Sequence, residues 1–215
     1  MSSPEKWNKI YENGNQLNDW PFSEVVGLAK KYLPARNRTA RSVLEIGSGT
    51  SSSYPFWLSQ GFDYYEIEQS QIAINYATNK YPMLKDQILQ GDFVNDPWPE
   101  TVPNVILDRA SITHNSFSDI KKVIERIYST LPKDGLFIGI DWFSDISSAK
   151  LDLAKSKQFG ELGEVNFINY STLIDLLSPF MILELKETIQ SFHVSSRNEP
   201  ILGTFSFVVR KVSDD

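Results

Sequence analysis

The stretch Arg41-Ser-Val-Leu-Glu-Ile-Gly-Ser-Gly-Thr-Ser51 constrains this chain more than any other. Val43, Leu44 and Ile46 make a short apolar strand that carries one acid, Glu45, and runs straight into Gly47-Ser48-Gly49. Residues 51–60 then have helical potential, with Phe56 and Trp57 as apolar anchors. A strand that breaks at glycines and re-enters a helix lets backbone N–H groups approach a ligand with no Cβ in the way. In an open α/β sheet, that turn is where a nucleotide-like cofactor binds.

The rest of the chain supplies such a sheet. After the strand at 42–46 the pattern predicts strands over 62–67, 87–89, 105–107 and 136–140. Helices are expected between them over 51–60, 70–79 and 118–131. The last of these helices has Ile120, Val123, Ile124, Ile127 and Leu131 at helical spacing on one face. Beyond residue 144 a polar stretch leads to a helix over 170–177 and two strands, 180–185 and 204–209, with no helix between them. The expected fold class is α/β: a doubly wound, Rossmann-like, seven-stranded and mostly parallel sheet. An antiparallel edge hairpin closes it at the C-terminal end, and helices cover both faces.

Residues 1–215 are expected to form a single domain of three parts. A helical lid or cap covers 1–40, a cofactor-binding half 41–143, and an acceptor-side insertion with the C-terminal hairpin 144–215. In the first part Trp7, Ile10 and Tyr11 fall at i, i+3 and i+4, the spacing of one helix face. A second helix is expected from Phe22 to Leu33, ahead of Pro34.

Composition removes several function classes. A net charge of −6 argues against nucleic acid or an anionic membrane as the main partner. Zero cysteines exclude disulfides, thiolate metal sites and cysteine nucleophiles, and two distant histidines, His114 and His193, make a poor transition-metal set. No apolar run approaches the roughly 20 residues of a membrane span, and the polar start lacks a secretory h-region. The expectation is a cytoplasmic protein, monomer or homodimer, with no metal and a small-molecule partner.

The glycine turn alone does not name its ligand. The dinucleotide fingerprint needs a third glycine where Ser52 stands, and a phosphate-binding loop needs a lysine that is absent. The acids discriminate better. Glu45 lies inside the motif, Glu68 ends the next strand about 20 residues on, where a ribose-binding acid belongs, and Asp92 and Asp108 end the two after it. So many carboxylates disfavour a pyrophosphate and favour a cationic ligand.

These residues resemble the class I methyltransferases that use S-adenosylmethionine, over nearly the whole chain from Val43 to Lys211. Val43-Leu-Glu-Ile-Gly-Ser-Gly49 looks like the family's first motif, with Ser51 in place of a frequent third glycine. Tyr65-Glu-Ile-Glu68-Gln69-Ser70 looks like the second-strand motif, and Gly91-Asp92-Phe93 like the adenine-contacting turn. Ile106-Leu-Asp108-Arg109 and Leu131-Pro-Lys-Asp-Gly-Leu-Phe137 resemble the fourth strand and the turn into the fifth. Trp7, Tyr11 and Trp20-Pro21 are similar to the aromatic lead-in of small-molecule members.

The resemblance implies S-adenosylmethionine as cofactor and S-adenosylhomocysteine as product. Glu45 would face the methionine end, with Gly47, Ser48 and Gly49 beneath it. Glu68 and Gln69 would take the ribose, and Gly91, Asp92 and Phe93 the adenine. Trp7, Tyr11 and Trp20 would cover the sulfonium, and Arg109 would orient an anionic acceptor or pair with an acid.

Methyl transfer is an in-line displacement that depends on alignment, and an alcohol acceptor also needs a base. His114 and Asp108, on the segment after the fourth strand, are the candidates, with Asp108 equally able to cap the following turn or to touch the methionine end of the cofactor; His193, near the hairpin, is expected at the surface. The leading reading is a methyltransferase acting on a small molecule, with oxygen the atom that would call for a base. The alternative is a protein that keeps the fold and cofactor but serves a regulatory or partner-binding role.

Overall fold

The computed structural model describes residues 4–33, 41–147, 165–191 and 201–212. Within them lie seven strands, β1 (Ser42–Ile46), β2 (Asp63–Glu68), β3 (Ile88–Gln90), β4 (Val105–Arg109), β5 (Leu136–Phe143), β6 (Phe180–Ser191) and β7 (Ile201–Lys211). The helices are α1 (Pro4–Glu12), α2 (Ser23–Tyr32), α3 (Tyr54–Ser59), α4 (Gln71–Lys80), α5 (Phe117–Thr130) and α6 (Tyr170–Leu177).

All seven strands join one sheet in the order β3-β2-β1-β4-β5-β7-β6. The first five run parallel. β1 and β4 are almost wholly buried, as near-continuous apolar strands covered on both faces should be. The C-terminal hairpin forms as the sequence predicts, but its strands reach further than expected, and the antiparallel strand is β7, inside the sheet between β5 and β6. Much of the polar stretch beyond residue 144 and of the hairpin's connection, at 148–164 and 192–200 with His193, lies outside the described residues.

Two apolar clusters cover the faces of the sheet. One gathers Ile46, Ile106 and Phe137 with the apolar faces of α5 and α6; the other sets Val43, Tyr64 and Leu107 against α2 and α3. α5 starts at a side-chain cap: the Ser116 hydroxyl accepts from Asp119 N–H at 3.2 Å and donates to the Asp119 carboxylate at 2.6 Å. Ser70 caps α4 by accepting from Ala73 N–H.

The N-terminal segment is latched over the carboxyl ends of the strands. Asn8 on α1 accepts from the Ser70 hydroxyl at 2.7 Å, the Thr50 hydroxyl donates to Asn18 O at 2.7 Å, and Asp19 pairs with Lys80 at 2.5 Å while accepting from Tyr76.

β5 is where the sheet departs from regularity. Opposite Gly139, the Phe207 ring lies across the strand in the volume a side chain would fill, edge-on to Trp142 and Phe137. The register with β7 then slips between Gly139 and Trp142, a bulge that leaves Asp141 at φ 58°. Gly139→Ala is expected to lower stability by about 1–3 kcal/mol through overpacking. Urea unfolding checks it, and Phe207→Leu added to Gly139→Ala should recover part of that loss.

Candidate active site

The carboxyl ends of β1, β2, β4 and β5 open into a cleft of about 340 Å3, roofed by α1 and the loop that follows it. Its floor is the turn after β1. Gly47 and Gly49 sit at φ 61° and 59°, in the left-handed region that glycine enters without strain. A Cβ on Gly47 would run into the Ser111 side chain, and one on Gly49 would come within 2.8 Å of the Tyr11 hydroxyl. Ser51 adopts the same backbone region at φ 55° without being glycine, fully buried, with its hydroxyl donating 2.7 Å to Glu66.

Glu68 holds this turn from the neighbouring strand. Its carboxylate accepts from Gly49 N–H at 2.8 Å and from Ser70 N–H at 2.7 Å, tying the glycine turn to the start of α4. Burial raises its pKa, against these backbone donors, which favour the anion. Gln69 lines the cleft beside it.

Glu45 faces the cleft from β1, with Ser48 next to it. Its Oε2 accepts from the Ser53 hydroxyl and, at 2.7 Å, from Tyr64. Burial pushes its pKa up to about 7, with the two hydroxyls and Arg109 opposing. Directly across the β1–β2 ladder lies Glu66, fully buried and pushed up to about 8 by the same cause.

Asp92 and Phe93 also line the cleft. The Asp92 carboxylate accepts from Val94 N–H at 2.9 Å and from the Asn95 amide at 2.7 Å, which fixes the turn after β3. Gly91 does not face the cleft; it is tucked under Asp96 and Ile67 and receives its shape from Gly91 N–H donating to Glu68 O.

The other wall comes from β4 and β5. His114, on a single 3-10 turn at 112–114, is buried with its ring edge-on between Trp7 at 5.3 Å and Phe143 at 5.6 Å. Arg109 pairs with Asp141 at 3.1 Å and lies 3.4 Å over the Phe22 ring. Burial lowers its pKa, but a guanidinium stays charged across the working range. Tyr11 joins Trp7 on the roof, its phenol pushed well up by burial.

Besides Gly91, two expected positions turn out elsewhere. Asp108 does not front the cleft: Oδ2 accepts from Trp142 Nε1 at 2.6 Å and Oδ1 from Ile112 N–H at 3.1 Å, with no exposed surface. A carboxyl with both oxygens engaged in the core anchors the turn that carries His114 and has no path to an acceptor. Trp20 points outward, 80% exposed, because the loop is pinned at Asn18 and Asp19 and sends Phe22 inward in its place.

A methyltransferase-domain family model matches residues 44–139. An uncharacterized methyltransferase of Bacillus pumilus is 28% identical over 197 residues, covering 90% of this chain and 91% of its own. Among solved structures, one concerned with converting a disulfide bond into a thioacetal group during echinomycin biosynthesis superposes with a TM-score of 0.70 at 14% identity, over 99% of this chain and 94% of that one. TehB from Haemophilus influenzae gives 0.67 at 14% identity, over 95% and 67%. The methyltransferase domain and the full-length relative support a class I S-adenosylmethionine-dependent methyltransferase.

The cleft fits that family's cofactor. S-adenosylmethionine carries a sulfonium and an ammonium and no phosphate, and among the described residues the lining holds the acids Glu45, Glu68, Asp92 and Asp141 against Arg109. Sequence reasoning missed Asp141 and Phe143, because strand β5 was expected to end at Ile140; an acid ending a parallel strand was the available signal. It also missed Phe22 and Asn18 on the roof and Thr204 and Leu202 from β7. For this methyltransferase, Glu68→Ala is expected to weaken S-adenosylhomocysteine binding at least tenfold, since it frees two backbone N–H groups as well as removing an acceptor. Isothermal titration calorimetry reads the change.

Proposed function

We propose that this methyltransferase acts on a small-molecule acceptor, with His114 as the base that takes the acceptor's proton and a hydroxyl oxygen as the atom methylated. The observation that supports this reading is the placement of His114, the described imidazole, held by two aromatic edges at the cleft wall. An imidazole is the side chain most often used to take a proton in general-base catalysis. Its side-chain freedom is already spent, so little order has to be gained when an acceptor arrives.

S-adenosylmethionine, when bound, supplies a methyl group already activated on its sulfonium. Glu68 with Gln69 would hold the ribose, Asp92 and Phe93 the adenine, and Glu45 the cationic amino end, above Gly47 and Gly49. Trp7 and Tyr11 would exclude water over the reacting centre. Arg109 and Asp141 form a charge-balanced pair at the acceptor side, so the acceptor pocket is polar without a strong net field.

Size and charge favour a small acceptor over a polymer. The roof formed by α1 and its loop encloses the cleft, and the net charge of −6 gives no general attraction for nucleic acid. No helix among the described residues is long and apolar enough to cross a membrane, and a cytoplasmic location is part of this proposal.

The test is a screen of hydroxylated metabolites for S-adenosylhomocysteine production, followed by His114→Ala on whichever acceptor responds. That variant is expected to lose turnover by about 10²–10⁴-fold while holding S-adenosylhomocysteine within about threefold of the unaltered affinity. Unchanged turnover would remove the base role from His114. Binding without transfer to any acceptor would favour a cofactor-holding regulatory protein instead.

A further inference from the structure

One buried acid has no place in the chemistry above. Glu66 lies in the middle of β2 with no exposed surface, facing away from solvent and outside the cleft lining. It is connected to the cleft through one atom. The Tyr64 hydroxyl stands 2.7 Å from Glu66 Oε2 and 2.7 Å from Glu45 Oε2.

A phenol has one hydrogen to give. It can donate to one of these carboxyls, and the other must then donate to the phenol oxygen, or two lone pairs face each other at hydrogen-bond distance in the core. The remaining donors do not alter that count. Ser53 gives its hydrogen to Glu45 and Ser51 gives its hydrogen to Glu66 Oε1. The Tyr64 phenol is itself pushed well above its ordinary range by burial and by both acids, so it does not ionise to resolve the conflict.

The geometry therefore requires one shared proton on the Glu45–Glu66 pair. Its position follows from the surroundings. Glu45 borders the cleft and feels Arg109 on β4, which favours its anion; Glu68 and Asp108 oppose that more weakly from either side. Among the described residues no cation bears on Glu66 as Arg109 does on Glu45, and α3, which packs over this face, carries no charged residue in its first or last turn. Burial raises both carboxyls, and only Glu45 has Arg109 among the groups that oppose the rise.

We propose that Glu66 keeps this proton and, through Tyr64, presents Glu45 to the cofactor's cationic end as an anion, which makes Glu66 a positioning residue for cofactor binding. The inference rests on the cofactor site assigned above. It adds a proton relay of Glu66, Tyr64 and Glu45 behind that site. When the pH falls, a second proton enters the pair, lands on Glu45 and cancels the charge that the cofactor needs; it is released to solvent when the cofactor binds.

The stability consequence has a fixed sign. A carboxyl raised from 4.5 to about 8 in the folded protein contributes fully below its ordinary range, and that contribution is lost as the pH rises to about 8. Glutamine at 66 cannot titrate, yet its amide can donate to the Tyr64 oxygen as the protonated acid does.

The experiment pairs S-adenosylhomocysteine calorimetry with thermal unfolding of the ligand-free protein, on the unaltered chain, Glu66→Gln, Glu66→Leu and Tyr64→Phe. The unaltered protein is expected to bind about tenfold more weakly at pH 6 than at pH 8, and to release protons on binding at the lower pH, as buffers of different ionisation enthalpy reveal. Glu66→Leu and Tyr64→Phe should weaken binding about tenfold at pH 7. In Tyr64→Phe, Glu45 loses a donor and takes up the proton, so affinity should recover by pH 9. Glu66→Gln should rescue binding to within about twofold of the unaltered protein and shrink the fall in Tm between pH 6 and pH 9 by about 4 °C.

Tenfold weaker binding by Glu66→Gln, or an unchanged Tm profile, overturns the proposal. Absence of binding by the unaltered protein at every pH overturns the cofactor-site reading instead, and the ligand-free Tm profile still decides whether Glu66 holds the proton. Should Glu66→Leu fail to fold, Tyr64→Phe and Glu66→Gln carry the same test.

Discussion

The turn after β1 has to keep Gly47, Gly49 and Ser51 in left-handed backbone at the floor of the cleft, and acids on the next strand hold it there. Glu68 accepts from Gly49 N–H, and Glu66 accepts from the Ser51 hydroxyl. This explains how a serine takes a position where the family often has glycine: the strain of a non-glycine residue at φ 55° is offset by a buried charge-assisted or carboxyl hydrogen bond. The parallel register, Glu45 opposite Glu66 and Ile46 opposite Ile67, sets these acids under the turn. A one-residue slip of β2 would turn Tyr64, Glu66 and Glu68 to the other face and release the floor of the cleft.

Much of this was legible from residue types and spacing. Glu45, Glu68 and Asp92 stand at the ends of parallel strands, and strand ends converge on one edge whatever the details of packing. The helices read well for a similar reason: Ile120, Val123, Ile124 and Ile127 leave α5 a single way to lie on the sheet. Trp7 and Tyr11 were placed correctly on one helix face, and that face turns inward over the cleft.

What escaped the sequence is set by distant partners. Trp20 and Phe22 are two aromatics on one loop, and only the anchoring of Asn18 by Thr50 and of Asp19 by Lys80 decides which of them enters the cleft. Asp108 carries every mark of a reactive acid until Trp142, 34 residues on, engages its second oxygen in the core. Asp141 reaches the cleft through a bulge created where Phe207 packs on Gly139, a pairing between β5 and β7 that no local pattern encodes. Glu66 sits mid-strand between a tyrosine and an isoleucine, and its partner is known only once the β1–β2 register is fixed.

The distribution of charge across the sheet gives these acids distinct roles. Glu45, Glu66, Glu68 and Asp108 are all buried near one another, and full ionisation of all four would be prohibitive in a low-dielectric interior. The fold separates them by what each can accept. Glu68 takes two backbone N–H groups and tolerates its charge; Asp108 takes an indole and a backbone N–H and steadies the His114 turn; Glu66 shares a phenol with Glu45. Only Glu45 is left with a carboxyl oxygen that no donor among the described residues engages, at the wall of a cleft. Such a site is electrostatically incomplete in the direction of a cation, so a cationic ligand held there would relieve repulsion among these carboxylates. Selectivity for this cofactor over a phosphate-bearing one then follows from the same buried carboxylates that hold the turn in shape.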